Sequence, residues 1–205
     1  KKVNFVKITR DNYSHYKNKE FKIIINAAMP SKRFWARQNP ELDHKETVIK
    51  TKNILLDFKF NKIIHISSVS ARCQPNTVYG KNKKISEELI QKTKDYLIIR
   101  FAAMYGKGLT KGVLMDMVNN RKVYINGESK YSFTDVSWNA KWIVDNLNSK
   151  EKLVEIGATD YIKLNQLAKL INSTSEFDGE IDDQIILNKS YKFDCSIQVL
   201  NFLKQ

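Results

Sequence analysis

The chain has 205 residues, of which 42% are hydrophobic, and its 35 Lys and Arg outnumber its 22 Asp and Glu for a formal net charge of +13 at pH 7. A chain of this length can bury a sizeable core, which excludes a disordered protein and a small domain stapled by disulfides or metal. Its two cysteines, Cys73 and Cys195, lack CxxC spacing, which argues against a zinc site and predicts two inert thiols.

Neither a membrane span nor a secretion signal is expected from the sequence. No apolar run approaches the roughly 18 to 20 residues that a membrane-spanning helix needs. The first residues also lack the apolar core of a signal peptide. We therefore predict a cytoplasmic protein with no membrane contact.

The positive charge comes from 29 Lys and only 6 Arg. Arg is the side chain that grips phosphates and bases with two hydrogen bonds, so this composition makes nucleic acid an unexpected partner. Residues 150–205 hold 7 basic and 9 acidic residues, which leaves 28 basic and 13 acidic residues, a net +15, on residues 1–149. Binding of a polyanion by this basic part is kept as an alternative.

Short apolar runs alternate with amphipathic stretches of helix length through the first hundred residues, as in βαβ units. The predicted strands are Val3–Ile8, Lys22–Asn26, Lys62–Ser67 and Tyr96–Arg100. The predicted helices are Asn12–Lys19, Glu41–Phe58, whose apolar face includes Val48, Leu55 and Leu56, and Tyr79–Thr93. Because the strands are nearly continuous runs of apolar, β-branched residues, we expect a parallel sheet with helices on both faces.

After Arg100 the pattern is less regular. The predicted strands there are Val123–Ile125, Leu153–Ile156 and Gln184–Leu187. The predicted helices are Val113–Val118, Trp138–Asn148, Leu164–Ile171 and Ile197–Leu203. Shorter, mixed elements are typical of a small α+β lobe that binds a substrate rather than of a continued sheet.

The residues most able to carry chemistry lie around the third predicted strand. Ser67 and Ser68 end that strand, and Tyr79 and Lys83 open the next helix. Residues four apart share a helix face, so the Lys83 ammonium is expected to lower the pKa of the Tyr79 phenol and make it a general acid or base. A serine hydroxyl at the carboxyl end of a strand is placed to bind a substrate oxygen. The spacing Tyr-x-x-x-Lys also arises by chance in a lysine-rich chain. The interpretation therefore depends on the position of Tyr79 and Lys83 in the helix that follows the strand ending in Ser67 and Ser68.

The other candidates are weaker. The three histidines have no metal-ligand spacing, so no metal site is expected, and His65 inside a strand is interpreted as a packed side chain. Arg33, in the loop after the second predicted strand, could meet an anionic substrate or could face solvent.

These segments together resemble the extended short-chain dehydrogenase/reductases, the branch of nucleotide-sugar epimerases, dehydratases and 4-keto-sugar reductases. The resemblance covers most of the chain. Its segments are Phe21–Ala28 with its Asn-Ala-Ala end, Thr51–Leu56, the Ser67-Ser68 pair, Tyr79 with Lys83 and then Glu87 or Glu88, Ile98–Gly106, Phe133–Val136 and Glu155–Gly157. It implies a Rossmann-like, doubly wound, mostly parallel sheet and a nucleotide-sugar ligand.

The resemblance also implies roles for particular residues. Tyr79 would be the catalytic acid or base, Lys83 would bind the nicotinamide ribose, and Ser68, in preference to Ser67, would orient the substrate oxygen. The remaining residues expected beside NAD or NADP are Asn26, Ala27, Ala28, Ser67, Ala102 and Ala103. Met104 and Arg33 are the expected substrate contacts. A homodimer through the helices Glu41–Phe58 and Tyr79–Thr93 is a further expectation.

Some features of the sequence differ from this family, and they restrict the expected cofactor site and reaction. No GxxGxxG turn occurs, and the first glycine is Gly80, so we expect the first two βα units to be missing and the sheet to be N-terminally incomplete. The residue that selects NAD or NADP would lie in that part. Val69-Ser70 replace the Asp-Glu pair of the 4,6-dehydratases, which disfavours dehydration. Tyr131-Ser132 replace an arginine that binds the nucleotide diphosphate.

Two functions remain after these departures. The first is an NAD(P)-dependent nucleotide-sugar epimerase or 4-keto-sugar reductase, with residues 1–105 as a partial dinucleotide-binding domain and residues 106–205 mainly as the substrate lobe, some segments of which return to the sheet. The second is a truncated or non-catalytic relative of the same fold that acts as a binding protein.

Overall fold

The computed structural model describes residues 4–187 and 196–203, without the side chains of Ser196 and Ile197. The chain forms two compact units. Unit 1 comprises Lys1–Arg100 and Trp142–Val154, and unit 2 comprises Phe101–Lys141 and Glu155–Gln205. Unit 1 contains a Rossmann-like α/β sheet, which confirms the predicted fold class.

Unit 1 contains the longer elements of the chain. Its strands are β1 (Glu20–Asn26), β2 (Lys59–Ser68) and β3 (Tyr96–Phe101). Its helices are α1 (Tyr13–Tyr16), α2 (Arg33–Gln38), α3 (Pro40–His44), a π-helical turn (Lys45–Ile49), α4 (Lys50–Asp57), α5 (Ser70–Cys73) and α6 (Val78–Gln91). A fourth strand, β7 (Leu153–Ile156), begins in unit 1. The order of the strands in the sheet is β1-β2-β3-β7.

The first two strands fix which ends of the sheet lie together. β1 and β2 are parallel, and their register places Ile24 opposite Ile63 and Asn26 opposite His65. The carboxyl ends of both strands therefore lie at one edge of the sheet, which is where open α/β sheets bind ligands. The Asn26 end of β1 and the Ser67-Ser68 end of β2 share this edge.

The core of unit 1 lies between the sheet and two helices. Ile54 of α4 and Ile90 of α6 pack with Ile63 of β2 and Ile98 of β3, and all four side chains are buried. Burying an Ile side chain contributes roughly 1.5–3 kcal/mol, so this cluster holds α6 firmly against β2. The site described below is built on that contact.

The predicted strand Val3–Ile8 is wrong over its described residues, since 4–8 form no strand. Phe5 is 82% exposed, so its apolar side chain has no sheet face to cover it. The predicted helix Asn12–Lys19 shortens to α1. Lys17 leaves the helical conformation with φ −54° and ψ 141°, and Asn18 follows with φ +62°. A left-handed Asn at this point ends a helix.

The predicted helix Glu41–Phe58 is confirmed as the consecutive segments α3, the π-helical turn and α4. Its predicted apolar face is wrong at Leu56, which is 71% exposed, whereas Val48 is 6% exposed. Three polar side chains are buried on this helix instead, at a spacing of four residues: Asp43, Thr47 and Thr51.

Unit 2 is built from short elements. They are β4 (Met104–Tyr105), α7 (Val113–Val118), β5 (Lys130–Tyr131), β6 (Thr134–Asp135), α8 (Val136–Asp145, which ends in unit 1), β8 (Ile162–Lys163), α9 (Leu164–Leu170) and α10 (Ser196–Leu203). β4 pairs with β6 in parallel, and β5 pairs with β8 antiparallel. The predicted strands near Val123 and Gln184 are reduced to single bridges.

An aromatic and aliphatic core holds unit 2 together. Tyr105, Tyr131 and Phe133 are at most 4% exposed and pack with Leu114 and Met117 of α7. The prediction of a less regular second part is confirmed, because most strands here are two residues long.

Candidate active site

The amino end of α6 is fixed by a cap and by a close backbone approach. The Thr77 hydroxyl accepts a hydrogen bond from the Gly80 amide at 3.0 Å. A Cβ on Gly80 would overlap the Gln74 carbonyl oxygen and lie 2.6 Å from the Ser70 carbonyl oxygen, so only glycine allows this approach. The first turn of α6 is thereby held against the segment that follows β2, and Tyr79 and Lys83 are buried in unit 1.

The structure brings three of the predicted site residues together. Tyr79 is 6% exposed, and the side chain of Ser68 lies close enough to its hydroxyl to lower the pKa of the phenol. The Lys83 ammonium lies 5.3 Å from the centroid of the Tyr79 ring. A hydroxyl, a phenol and an ammonium therefore meet at the carboxyl end of β2.

Ser67 has a different partner from Ser68. Its hydroxyl donates to Oε1 of Glu87 at 2.7 Å, and Glu87 is held by Arg100 at 2.9 Å and 2.6 Å. All three side chains are buried, whereas Glu88 is exposed. Ser67 therefore ties α6 to β2 and β3, which leaves Ser68 as the hydroxyl beside Tyr79.

The expected lowering of the Tyr79 pKa is wrong for this structure. Burial raises the pKa of the Tyr79 phenol from 10.0 to about 12, because the phenolate loses its hydration. The Arg33 charge and the side chain of Ser68 act in the opposite direction. Tyr79 is thus a neutral phenol at pH 7, ready to donate its proton.

Lys83 is a buried cation between carboxylates. Burial lowers its pKa from 10.5 to about 8, and the charges of Asp43 and Glu87 raise it. Lys83 is only 4% exposed, so its positive charge lies in a largely dehydrated environment beside Tyr79.

A chain of hydrogen bonds links the end of β1 to α6 through His65. The Asn26 amide lies 3.1 Å from Nδ1 of His65, Nε2 of His65 lies 3.1 Å from the Ser86 hydroxyl, and that hydroxyl donates to the Lys83 carbonyl at 2.7 Å. Burial lowers the pKa of His65 to about 3, with a further contribution from the Lys83 charge. His65 is a neutral, packed side chain that accepts from Asn26 and donates to Ser86.

The turn after β1 has the small residues that a ligand could approach closely. Ala27 and Ala28 are exposed, and the Ala28 amide donates to the Asn26 side chain at 3.3 Å. Arg33 lies in α2, partly buried, and reaches Gln74 at 3.4 Å. These residues belong to unit 1, like the Ser68–Tyr79–Lys83 group.

The predicted site residues of unit 2 are described within that unit. Ala102 is buried, and its amide donates to the Ile156 carbonyl at 2.9 Å. The Ala103 carbonyl accepts from the Thr134 amide at 3.0 Å, and Met104 is 38% exposed. Their roles toward a cofactor or a substrate stay predictions.

The sequence interpretation missed the polar group on α3 and the π-helical turn. Asp43 is fully buried and accepts from the Asn82 amide at 2.8 Å, and His44 reaches the Asn82 oxygen at 3.2 Å. Oδ1 of Asp43 and the Thr47 hydroxyl are buried without a hydrogen-bond partner. The spacing of Asp43, Thr47 and Thr51 was the available signal, because polar residues four apart share a helix face.

Other site types find no support in residues 4–187 and 196–203. No group of His, Cys, Asp and Glu there could hold a metal ion. No described helix is long and apolar enough to cross a membrane. Cys73 is partly buried and outside any disulfide in this part of the chain, and Cys195 lies outside the described residues. The cytoplasmic location stays a prediction.

The comparisons with known proteins give structural neighbours only. No family model and no curated protein matches the sequence. The chain is similar in structure to the NAD-dependent NDP-hexosamine 5,6-dehydratase TunA of tunicamycin biosynthesis, with a TM-score of 0.67 and 16% identity over 87% of this chain and 69% of that one.

Two further neighbours have the same fold. The UDP-glucuronic acid 4-epimerase from Bacillus cereus, in complex with UDP-glucuronic acid and NAD, has a TM-score of 0.66 and 16% identity over 89% of this chain and 68% of that one. RMD from Pseudomonas aeruginosa, complexed with NADPH, has a TM-score of 0.66 and 16% identity over 79% and 71%. At these identities the similarity establishes a shared Rossmann-like fold.

Proposed function

We propose that the chain is an NAD- or NADP-dependent enzyme that acts on a nucleotide sugar, as an epimerase or a 4-keto-sugar reductase of the extended short-chain dehydrogenase/reductase type. The observation that carries the proposal is the group of Ser68, Tyr79 and Lys83 at the carboxyl end of β2, in which Tyr79 and Lys83 are buried. Structural neighbours that are complexed with NAD, NADPH or UDP-glucuronic acid support it.

The three side chains have distinct parts in the proposed reaction. When bound, the nicotinamide ring supplies the hydride that a sugar carbonyl carbon accepts, or takes it back. Tyr79 donates its phenolic proton to the carbonyl oxygen, which becomes a hydroxyl, and it recovers a proton afterwards. Ser68 orients that oxygen by a hydrogen bond, and the positive charge of Lys83 stabilises the transient phenolate.

The residues around Tyr79 and Lys83 fit the nicotinamide-ribose half of the cofactor. Lys83 is 4% exposed with its ammonium beside the Tyr79 ring, and ribose hydroxyls would accept hydrogen bonds from this ammonium. The exposed Ala27 and Ala28 at the end of β1 would let a ligand approach the backbone. The 205 residues contain no GxxGxxG turn, so the proposal assigns no pyrophosphate contact to them.

The test begins with cofactor binding and continues with turnover. Calorimetry measures binding of NAD(H) and NADP(H) to the protein that carries these residues, and a panel of UDP- and dTDP-hexoses is then assayed for epimerisation and reduction. We expect Tyr79→Phe to lower kcat by about 100-fold or more, because the proton donor is lost. Tyr161→Phe, on an exposed tyrosine of unit 2, is the matched control and keeps full activity. Full turnover by Tyr79→Phe would refute the proposal.

One observation favours a second candidate, a non-catalytic protein that binds the same ligands. The pKa of Tyr79 lies at about 12, well above the range of a general base at neutral pH. Tight binding of a dinucleotide and a nucleotide sugar with no exchange of hydride between them would establish this candidate. Any turnover that depends on Tyr79 would exclude it.

We also propose a homodimer. Leu42, Ile49 and Leu56 are 50%, 40% and 71% exposed and lie seven residues apart on the consecutive helical segments α3, the π-helical turn and α4. A row of apolar side chains at this spacing is suited to packing against an identical row. Light scattering should show a dimer that Leu56→Lys converts to a monomer, while Leu170→Lys in unit 2 leaves it intact. A monomeric parent protein would overturn this proposal.

A further inference from the structure

Two carboxylates, Glu87 and Asp43, are buried near Lys83 of α6, and Asp43 lies outside the predicted site. Glu87 is matched by Arg100 through two hydrogen bonds of 2.9 Å and 2.6 Å, so its charge is already compensated. Lys83 and Asp43 remain, at 4% and 0% exposure. A buried charge is retained only when an opposite charge offsets its lost hydration, so these two groups require each other.

The packing of the helices places Asp43 next to the residue before Lys83. α3 packs against α6, and Oδ2 of Asp43 accepts from the side chain of Asn82 at 2.8 Å. Burial raises the pKa of Asp43 and lowers the pKa of Lys83, and the attraction between the two groups acts against both shifts. Oδ1 of Asp43 has no hydrogen-bond partner, so the carboxylate has an acceptor to spare.

Other charged groups lie near Asp43 and Lys83. His44, the titratable neighbour of Asp43 on α3, opposes the rise that burial causes in the pKa of Asp43. From α2, Arg33 acts on Tyr79. From β2, His65 is neutral because its pKa is about 3. On α6 itself, Glu87 also raises the pKa of Lys83, but Arg100 already balances its charge, so Asp43 is the remaining anion that acts on Lys83.

We propose that Asp43 is a positioning residue that supplies the counter-charge of Lys83 and keeps the Lys83 ammonium protonated beside Tyr79. The consequence for catalysis rests on the function proposed above, because it concerns the residue that stabilises the Tyr79 phenolate. The charge pair itself exists with or without turnover. Asp43 touches no reacting atom and acts through Lys83.

The experiment compares Asp43→Asn with the parent protein. Asparagine has nearly the same shape and still accepts from Asn82 through its amide oxygen, so the substitution removes the charge and places an NH2 group at the position of Oδ1. The titration of Lys83 is followed by NMR of the lysine side chains in the ligand-free protein, and its signal is identified as the one absent from Lys83→Met. We expect Asp43→Asn to lower the pKa of Lys83 by about one unit or more. Asp95→Asn, at an exposed carboxylate paired with Lys152, is the matched control and leaves it unchanged.

An unchanged titration of Lys83 in Asp43→Asn overturns the proposal. A parent protein without turnover refutes the proposed function and leaves this result standing, because the NMR measurement needs no activity. Where turnover is present, the alkaline limb of its pH profile should move to lower pH in Asp43→Asn and stay in place in Asp95→Asn. An alkaline limb that does not move also counts against the proposal.

A second measurement decides the case in which Asp43→Asn does not fold. The double variant Asp43→Asn/Lys83→Met removes both charges together, so it should resist urea better than either single variant. Stability losses that simply add, or a double variant as unstable as the worse single variant, overturn the proposal.

Discussion

The two units of the chain bury different kinds of side chain. The buried charged or titratable side chains of unit 1, among the described residues, are Asp43, Lys62, His65, Tyr79, Lys83, Glu87 and Arg100. In the described part of unit 2 they are Tyr105, Tyr131, Glu155 and Asp182, and Tyr131 donates to Asp182 at 2.8 Å. Burying charges is costly, so the larger number of them in unit 1 supports the site proposed there, whereas the core of unit 2 is mainly apolar and aromatic.

The largest expected effect comes from Gly80→Ala in unit 1. The new methyl group would overlap the Gln74 carbonyl oxygen, so the first turn of α6 would have to move away. We expect a loss of about 3 kcal/mol or more in the free energy of unfolding, measured by urea denaturation. Gly108→Ala in unit 2 is the matched control, because nothing lies within 4 Å of its Cβ position. Its φ of +86° alone should cost about 1–2 kcal/mol. Equal losses of stability in Gly80→Ala and Gly108→Ala would show that the close approach of Gly80 to the Gln74 carbonyl oxygen is unimportant for stability.

The second largest expected loss of stability comes from breaking a buried ion pair, and breaking an exposed ion pair is the control. Arg100→Leu leaves Glu87 buried without its cation, which should cost about 3–5 kcal/mol. Lys163→Leu breaks the exposed pair with Glu128 in unit 2 and should leave the unfolding midpoint unchanged. A stable Arg100→Leu protein would contradict the view that unit 1 depends on its buried charges.

The smallest effect concerns the response to acid. The pKa of His65 is about 3 in the folded protein and about 6.5 in the unfolded chain, so the unfolded chain takes up this proton first. The stability contribution of neutral His65 is complete above about pH 6.5 and is lost as the pH falls toward 3. Between pH 7 and pH 5 we expect a loss of about 2 kcal/mol, measured by urea denaturation.

The control for this pH dependence is His65→Gln, which keeps a polar group in the strand and removes the titration. Its stability should fall less between pH 7 and pH 5 than that of the parent protein. His15→Gln, at an exposed site in α1, should behave like the parent. Equal slopes for His65→Gln and the parent would contradict the assignment of this acid sensitivity to His65.

Much of the fold could be predicted from periodicity alone. The strand β2, the helix α6 and the bounds of α7 at Val113–Val118 follow from runs and spacings that the structure confirms. The prediction of a strand at Val3–Ile8 was wrong because an apolar, β-branched run becomes a strand only beside a partner strand. The prediction that Leu56 faces the core was wrong because the π-helical turn changes which residues of the helix face inward.

The site was predictable where it depends on neighbours in sequence. Tyr79 and Lys83 are one helical turn apart, and Ser68 ends the preceding strand. The partners of these residues were not predictable, because Asp43 reaches Asn82 from 39 residues away and only the packing of two helices brings them together. The raised pKa of Tyr79 has the same origin, since burial is a property of the whole unit.

The π-helical turn at Lys45–Ile49 has a consequence for how this helix tolerates change in length. A π-helical turn closes its hydrogen bonds over five residues instead of four, so it holds one residue more than an α-helical turn. Deleting a single residue there would restore α-helical bonding without opening a loop. Because the extra residue is taken up within one turn, the deletion would leave the orientation of Pro40–His44 relative to α4 nearly unchanged, and Asp43 would still reach Asn82.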